Sequence, residues 1–121
     1  MTNHEGLYLG NPQMAPFFEY LNSRSTKTII YVHPTSPYMK EGNSWIEANP
    51  TLYASGLVEF YFETARCFMD LTYTQTLMKY TNLNWIAAHV GGSFPSILDR
   101  MIKSVPTLEA AAKAIYASRL V

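Results

Sequence analysis

The sequence has little cysteine, no excess charge of either sign and no long apolar run. Its single cysteine, Cys67, cannot form an internal disulfide, which suits a reducing compartment, so we expect a cytoplasmic location. Nine basic residues balance nine acidic ones, and no field of one sign favours nucleic acid or an anionic membrane as a partner. No stretch approaches the roughly 20 apolar residues that cross a bilayer, and residues 1–6 do not resemble a secretory signal. We therefore expect no nucleic acid and no membrane partner.

What the sequence contains is the composition of one folded α/β domain. It has 121 residues, of which 48% are apolar and 14% aromatic, enough to bury a core. Apolar residues at helical spacing predict a helix at about 14–21 and one or two helices between 56 and 80, with a break at 72–74. A further helix is predicted from Pro95, with Ser93 as its cap, and a last one from Thr107 with a buried stripe at 108, 111, 112 and 115. The polar start, including His4, is expected to fray and to have no functional role.

Two predicted strands end in the same way. Residues 28–33 and 84–89 are short uncharged runs rich in β-branched and aromatic side chains, as in a buried parallel strand, and each ends at a histidine followed by Pro or Gly. A helix lies between them in sequence, which is the order of a parallel crossover unit. Because ligands collect at the carboxyl ends of parallel strands, we expect His33 and His89 to share one pocket.

Three other features allow both a functional and an ordinary interpretation. Residues 34–55, with three prolines, are predicted to form a long loop, either over a site or simply on the surface. Gly91 and Gly92 can present N–H groups to an anion, although close backbone approach is the simpler explanation. Arg100 can clamp a carboxylate or cover a solvated helix face, and Glu63 and Arg66 are spaced for an ion pair within a helix. Each histidine, likewise, can be a ligand, a proton carrier or a structural residue.

Three segments together resemble a known family. Residues 31–35 (YVHPT), 62–66 (FETAR) and 88–95 (AHVGGSFP), followed by Arg100, are similar to the amidohydrolase-related, metal-dependent decarboxylases. The similarity is strongest to the fungal 6-methylsalicylate decarboxylase group, with aminocarboxymuconate semialdehyde decarboxylase as a more distant relative. The resemblance implies a single domain over residues 1–121 that is part of a (β/α)8 TIM barrel. In this interpretation two parallel strands, at about 28–33 and 84–89, and three to five helices form the middle of the barrel, and its early and late strands are absent.

The resemblance also implies a reaction and roles for three residues. His33 matches a ligand to a divalent metal ion, usually zinc and sometimes manganese. His89 matches a histidine that shuttles a proton, and Arg100 matches an arginine that contacts the substrate carboxylate, in some members across a homodimer interface. The implied reaction is non-oxidative decarboxylation of a small aromatic or enoic carboxylic acid.

The sequence departs from the family pattern in its metal ligands. The family has a His-x-His pair on its first strand and an aspartate on its eighth, and this sequence has no His-x-His and ends before a seventh strand. The implied ligand set is therefore incomplete, and an incomplete barrel is expected to expose sheet edges and to aggregate. Two alternatives to the decarboxylase remain open, namely a metal-dependent hydrolase of the same superfamily and a truncated remnant without catalytic activity.

Overall fold

A computed structural model describes residues 1–119, without the side chains of residues 111, 115, 118 and 119. Six strands and five α-helices are present within this part of the chain. The strands are β1 (Asn3–His4), β2 (Leu7–Tyr8), β3 (Thr28–Val32), β4 (Tyr38–Glu41), β5 (Ser44–Glu47) and β6 (Leu83–Ala87). The helices are α1 (Ala15–Asn22), α2 (Glu59–Tyr73), α3 (Thr76–Lys79), α4 (Phe94–Lys103) and α5 (Pro106–Arg119). None of these helices combines the length and the apolar character needed to cross a lipid bilayer.

The centre of the fold is a parallel pair of strands joined by a helical crossover. Strand β3 pairs with β6 in parallel, from Thr28 opposite Leu83 to Val32 opposite Ala87. This pairing confirms that the two histidine-ended segments are parallel neighbours. The crossover contains α2 and α3, and the helical pattern is broken at Gln75, which adopts a left-handed conformation with φ 60°. The predicted break near residues 72–74 is thus confirmed.

All the helices gather on one face of this strand pair. The buried side chains of β6, Leu83 and Trp85, lie beneath the helices, and Phe18 of α1 packs against the Trp85 indole with ring centroids 5.4 Å apart. Phe68 of α2 and Phe94 of α4 are in ring contact at 5.6 Å. On α5, Leu108 and Ala112 of the predicted stripe are buried, whereas positions 111 and 115 lie outside the described side chains.

The other face of the strand pair is open. Ile29 and Tyr31 of β3 remain 64% and 59% exposed, although parallel sheets are normally covered on both faces. Successive side chains along a strand point to opposite faces. His33 comes two residues after Tyr31, so it lies on the same open face. The single cysteine, Cys67, is fully buried on α2 as a small apolar residue, and burial raises the pKa of its thiol.

Three local predictions were wrong. Residues 34–55 are not one loop, because β4 and β5 form an antiparallel hairpin closed at Gly42, which has the positive φ that such tight turns require. The start of the chain does not fray, since Thr2 and Asn3 are buried and Asn3 hydrogen-bonds across the fold, while His4 itself is exposed. Ser93 occupies the predicted N-cap position of α4, but its side chain does not cap the helix, because its hydroxyl donates to the Tyr61 carbonyl instead.

Candidate active site

The structure brings His33 and His89 together at the carboxyl ends of β3 and β6. Their ring centroids are 5.2 Å apart, with the rings inclined at 60°, and both residues are exposed. The parallel register explains the approach, because Ala88 N–H donates to the Val32 carbonyl at 3.1 Å and so extends the pairing by one residue past the strands. Two imidazoles that far apart in sequence become neighbours only through this register.

A left-handed turn aims His89 at its neighbour. Leu83, Trp85 and Ala87 alternate into the helical face of β6, and a regular strand would send residue 89 the same way. Instead His89 and Val90 adopt φ of 53° and 54°, followed by positive φ at Gly91 and Gly92. Non-glycine residues in this region cost of order 1–3 kcal/mol each and are concentrated at functional sites. The strained turn is therefore the local feature that places the second imidazole.

A hydrogen bond sets the protonation pattern of the His33 ring. Its Nδ1 lies 2.8 Å from the carbonyl oxygen of Pro34, which can only accept, so Nδ1 carries the hydrogen. In the neutral ring this leaves the lone pair on Nε2 free to bind a metal ion or to accept a proton. Metal-binding histidines are commonly held in this way, with the other ring nitrogen bonded to a carbonyl or carboxylate oxygen.

Aromatic side chains surround the two imidazoles. Phe60 lies edge-on to His33 at 5.7 Å, and Tyr61 lies 5.8 Å from His89, both from the first turn of α2. Tyr31 approaches His33 at 6.4 Å along the open face. The sequence pattern predicted only a helix in this region, and nothing in it indicated that Phe60 and Tyr61 would flank the histidines.

The described residues supply only part of a metal site. His33 is suited to be one ligand, but no group of three or more His, Cys, Asp or Glu side chains in the described part of the chain is close enough to hold one ion. Catalytic divalent ions generally take at least three protein ligands. Within the described part of the chain, the residues present therefore do not make a complete site.

Arg100 lies away from the imidazole pair. It is exposed on α4 and lines a shallow surface groove with Met69 and Tyr73, which belong to the carboxyl-terminal end of α2. Phe60, which touches His33, lies in the opposite end of that helix. Arg100 and the imidazole pair therefore lie beside opposite ends of α2.

Behind the site, a buried carboxylate ties the start of the chain to α2. Glu63 is fully buried, and its two oxygens accept hydrogen bonds from Asn3 Nδ2 at 2.6 Å, from the Tyr8 hydroxyl at 3.1 Å and from Arg66 at 3.1 Å. The predicted pair of Glu63 and Arg66 is confirmed. Burial and the neighbouring Glu63 raise the pKa of Tyr8, which stays a neutral donor. Asn3 also donates to the Ser36 carbonyl, so this network supports the segment that follows His33.

Gly92 is where the strained turn meets α2, and it allows a direct test of that contact. A Cβ at this position would lie 2.9 Å from the Tyr61 Cα and still closer to the Tyr61 carbonyl oxygen, which confirms the explanation by close backbone approach. Gly42 has the same φ of 59° with nothing within 4 Å of such a Cβ. We expect Gly92→Ala to lower the free energy of unfolding by about 1–3 kcal/mol more than Gly42→Ala, because only the former adds a clash. Urea unfolding of the two variants measures the difference, and equal losses would contradict it.

Comparison with known proteins identifies related sequences and a related fold. The chain is 32% identical to decarboxylase macB of Penicillium terrestre over 100 residues, which are 82% of this chain and 29% of that protein. It is 32% identical to decarboxylase yanB of Aspergillus niger over 93 residues, 77% of this chain and 24% of that protein. It is also 26% identical to 6-methylsalicylic acid decarboxylase of Penicillium expansum over 102 residues, 84% and 29% of the two chains. No protein-family model matches.

A crystal structure described as an amidohydrolase II superposes on 98% of this chain and 37% of its own, with a TM-score of 0.79 and 23% identity. That likeness shows a shared fold. The chain spans only about a quarter of the length of the curated relatives that it matches. With three fungal decarboxylases aligned over most of its residues, the chain belongs to the 6-methylsalicylic acid decarboxylase family.

Proposed function

We propose that this chain is the central segment of a (β/α)8 barrel that decarboxylates a small aromatic or enoic carboxylic acid without oxidation. The observation that carries the proposal is the approach of two imidazoles to 5.2 Å at the carboxyl ends of adjacent parallel strands. In parallel barrels this edge is where catalytic groups gather. The names of the relatives support decarboxylation as the reaction, and residues 1–121 are proposed to act as one partial domain.

In this proposal His33 and His89 have different tasks. His33, with hydrogen on Nδ1, offers Nε2 as one ligand to a divalent metal ion, zinc in the first instance and manganese as the alternative. Such an ion, when bound, polarises the substrate, but the ligands in this chain are too few to hold it alone. His89 donates a proton to the ring or alkene carbon as the bond to the carboxylate breaks. The electron pair of that bond stays on the carbon, takes the proton, and CO₂ leaves.

Arg100 fits a role in an assembly better than a role within one chain. Its guanidinium is exposed and lies away from the imidazole pair. A guanidinium binds a carboxylate through two parallel hydrogen bonds, which requires close contact. We therefore propose that in the whole protein Arg100 contacts the substrate carboxylate of a second copy, across a homodimer interface.

A chimeric enzyme tests this function. The 102 matched residues of the Penicillium expansum decarboxylase are replaced by the matching segment of this chain, and zinc is supplied to the purified protein. We expect CO₂ release from 6-methylsalicylic acid, with a product that carries hydrogen in place of the carboxylate. The native host enzyme serves as the positive control, and the host lacking the segment serves as the negative control.

The products separate the alternatives. Hydrolysis of a lactone or amide without CO₂ release would favour the metal-dependent hydrolase of the same superfamily. A folded, zinc-loaded chimera with no turnover of either kind would indicate a truncated remnant without catalytic activity. Either result would contradict the decarboxylase proposal.

A further inference from the structure

A groove lies between the hairpin β4–β5 and α2. It has a volume of about 430 Å³, within the range of small-molecule pockets, and neither histidine of the candidate active site lines it. Tyr8 of β2 and Tyr38 and Met39 of β4 contribute apolar surface to its walls. The charged residues along it are Glu47, Glu59 and Arg66.

Glu59 is the unusual residue of this groove. It is only 3% exposed, yet within residues 1–119 no hydrogen bond or ion pair to its carboxylate is present. Glu63, one turn later on the same helix, is equally buried but accepts three hydrogen bonds. The Glu59 carboxylate opens onto the groove rather than into the protein interior, and its first-turn position in α2 favours the negative charge through the helix dipole. The groove thus holds an acceptor that lacks its donor.

The charges along the groove favour a cation as that donor. Glu47 and Glu59 contribute two negative charges, whereas the single positive charge of Arg66 is already engaged with Glu63 at 3.1 Å. A protonated nitrogen can only donate hydrogen bonds, which matches a carboxylate that can only accept them. The aromatic and thioether side chains of Tyr38 and Met39 offer apolar contact to the rest of such a molecule.

We infer that this groove binds a small organic amine, with its protonated nitrogen on the Glu59 carboxylate and its apolar body against Tyr38 and Met39. The inference is independent of the decarboxylase proposal, because it uses none of the residues assigned to that reaction. It identifies the ligand by chemical class alone, as a cationic nitrogen carried on an apolar stem.

Ligand-observed NMR titration of the full 121-residue chain with phenethylamine tests the inference. 2-Phenylethanol, which has nearly the same shape without the charge, is the matched control ligand. We expect saturable binding of the amine and at least tenfold weaker binding of the alcohol. A third probe, Nα-acetyl-lysine methylamide, tests whether the groove instead binds the lysine side chain of a protein. Weaker binding of this probe than of phenethylamine supports a free amine as the ligand. Tighter binding would overturn the inference in favour of a lysine side chain.

Two variants connect the binding to Glu59. Glu59→Gln should weaken phenethylamine binding at least tenfold, whereas Glu41→Gln, which removes an exposed carboxylate of the same hairpin outside the groove, should leave it unchanged. Because no hydrogen bond or ion pair within residues 1–119 depends on the Glu59 carboxylate, the thermal midpoint of Glu59→Gln should not fall below that of the unmodified chain. Equal binding of amine and alcohol, no binding of either, or unchanged binding to Glu59→Gln would each overturn the inference.

Discussion

Replacing His89 with alanine in the chimeric decarboxylase is expected to lower kcat for CO₂ release by about 10²- to 10⁴-fold, the usual range for loss of a positioned proton donor. The left-handed turn places this imidazole 5.2 Å from His33, and the substitution removes the ring. Steady-state assays of CO₂ release measure the effect. Metal content should stay unchanged, because His89 is proposed to transfer a proton and not to bind the metal ion.

His33→Ala should have a different signature in the same assay. It removes a proposed ligand, so both metal content and activity should fall together, and added zinc should restore neither fully. The control for both variants is His4→Ala, since His4 is the third histidine of the chain and is exposed on β1. Full activity in His89→Ala, or losses equal to those of His4→Ala, would show that the imidazole pair does not carry the reaction.

Glu63→Ala is expected to destabilise the chain by about 3–5 kcal/mol, the range for breaking a buried charged network by removing one partner. The reason is that Asn3 and Tyr8 lose their acceptor within the fold, and the Arg66 guanidinium loses its partner. This loss is large against the 5–15 kcal/mol that typically separates folded from unfolded domains. Denaturant unfolding followed by tryptophan fluorescence measures it.

The matched control is Glu19→Ala, which removes a carboxylate that also forms an ion pair, with Lys79 at 3.1 Å, but at the exposed surface. Exposed pairs are screened by water, so no resolvable change is expected. Glu63→Gln should fall between the two, because an amide oxygen can still accept one of the hydrogen bonds. If Glu63→Ala costs no more than Glu19→Ala, the buried network does not hold the start of the chain to α2.

The sequence was informative where a local pattern decides the structure. The uncharged runs ending in histidine predicted two parallel neighbours, and the structure pairs them from Thr28 opposite Leu83 to Val32 opposite Ala87. The spacing of Glu63 and Arg66 likewise predicted their ion pair, since residues three apart share one face of a helix. These features depend on short segments whose periodicity is visible in the sequence.

Features that depend on distant contacts could not be predicted in this way. Nothing local to Asn3 indicates that it reaches Glu63, sixty positions later, and the contact forms only when the whole fold has assembled. The hairpin β4–β5 was missed because its strands are exposed and carry no buried alternation to mark them. Val90 adopts a left-handed conformation, which β-branched residues disfavour. Its residue type therefore gives no indication of the turn that is found there.

The open face of the central strand pair affects how any measurement of stability should be interpreted. Ile29 and Tyr31 keep more than half of their surface in water, and each apolar square ångström removed from water is worth about 25 cal/mol. Any layer that covers this face binds the folded chain but not the unfolded one, and so raises its apparent melting temperature by mass action. The free energy of unfolding measured for this chain therefore depends on what is packed against β3 and β6 during the measurement.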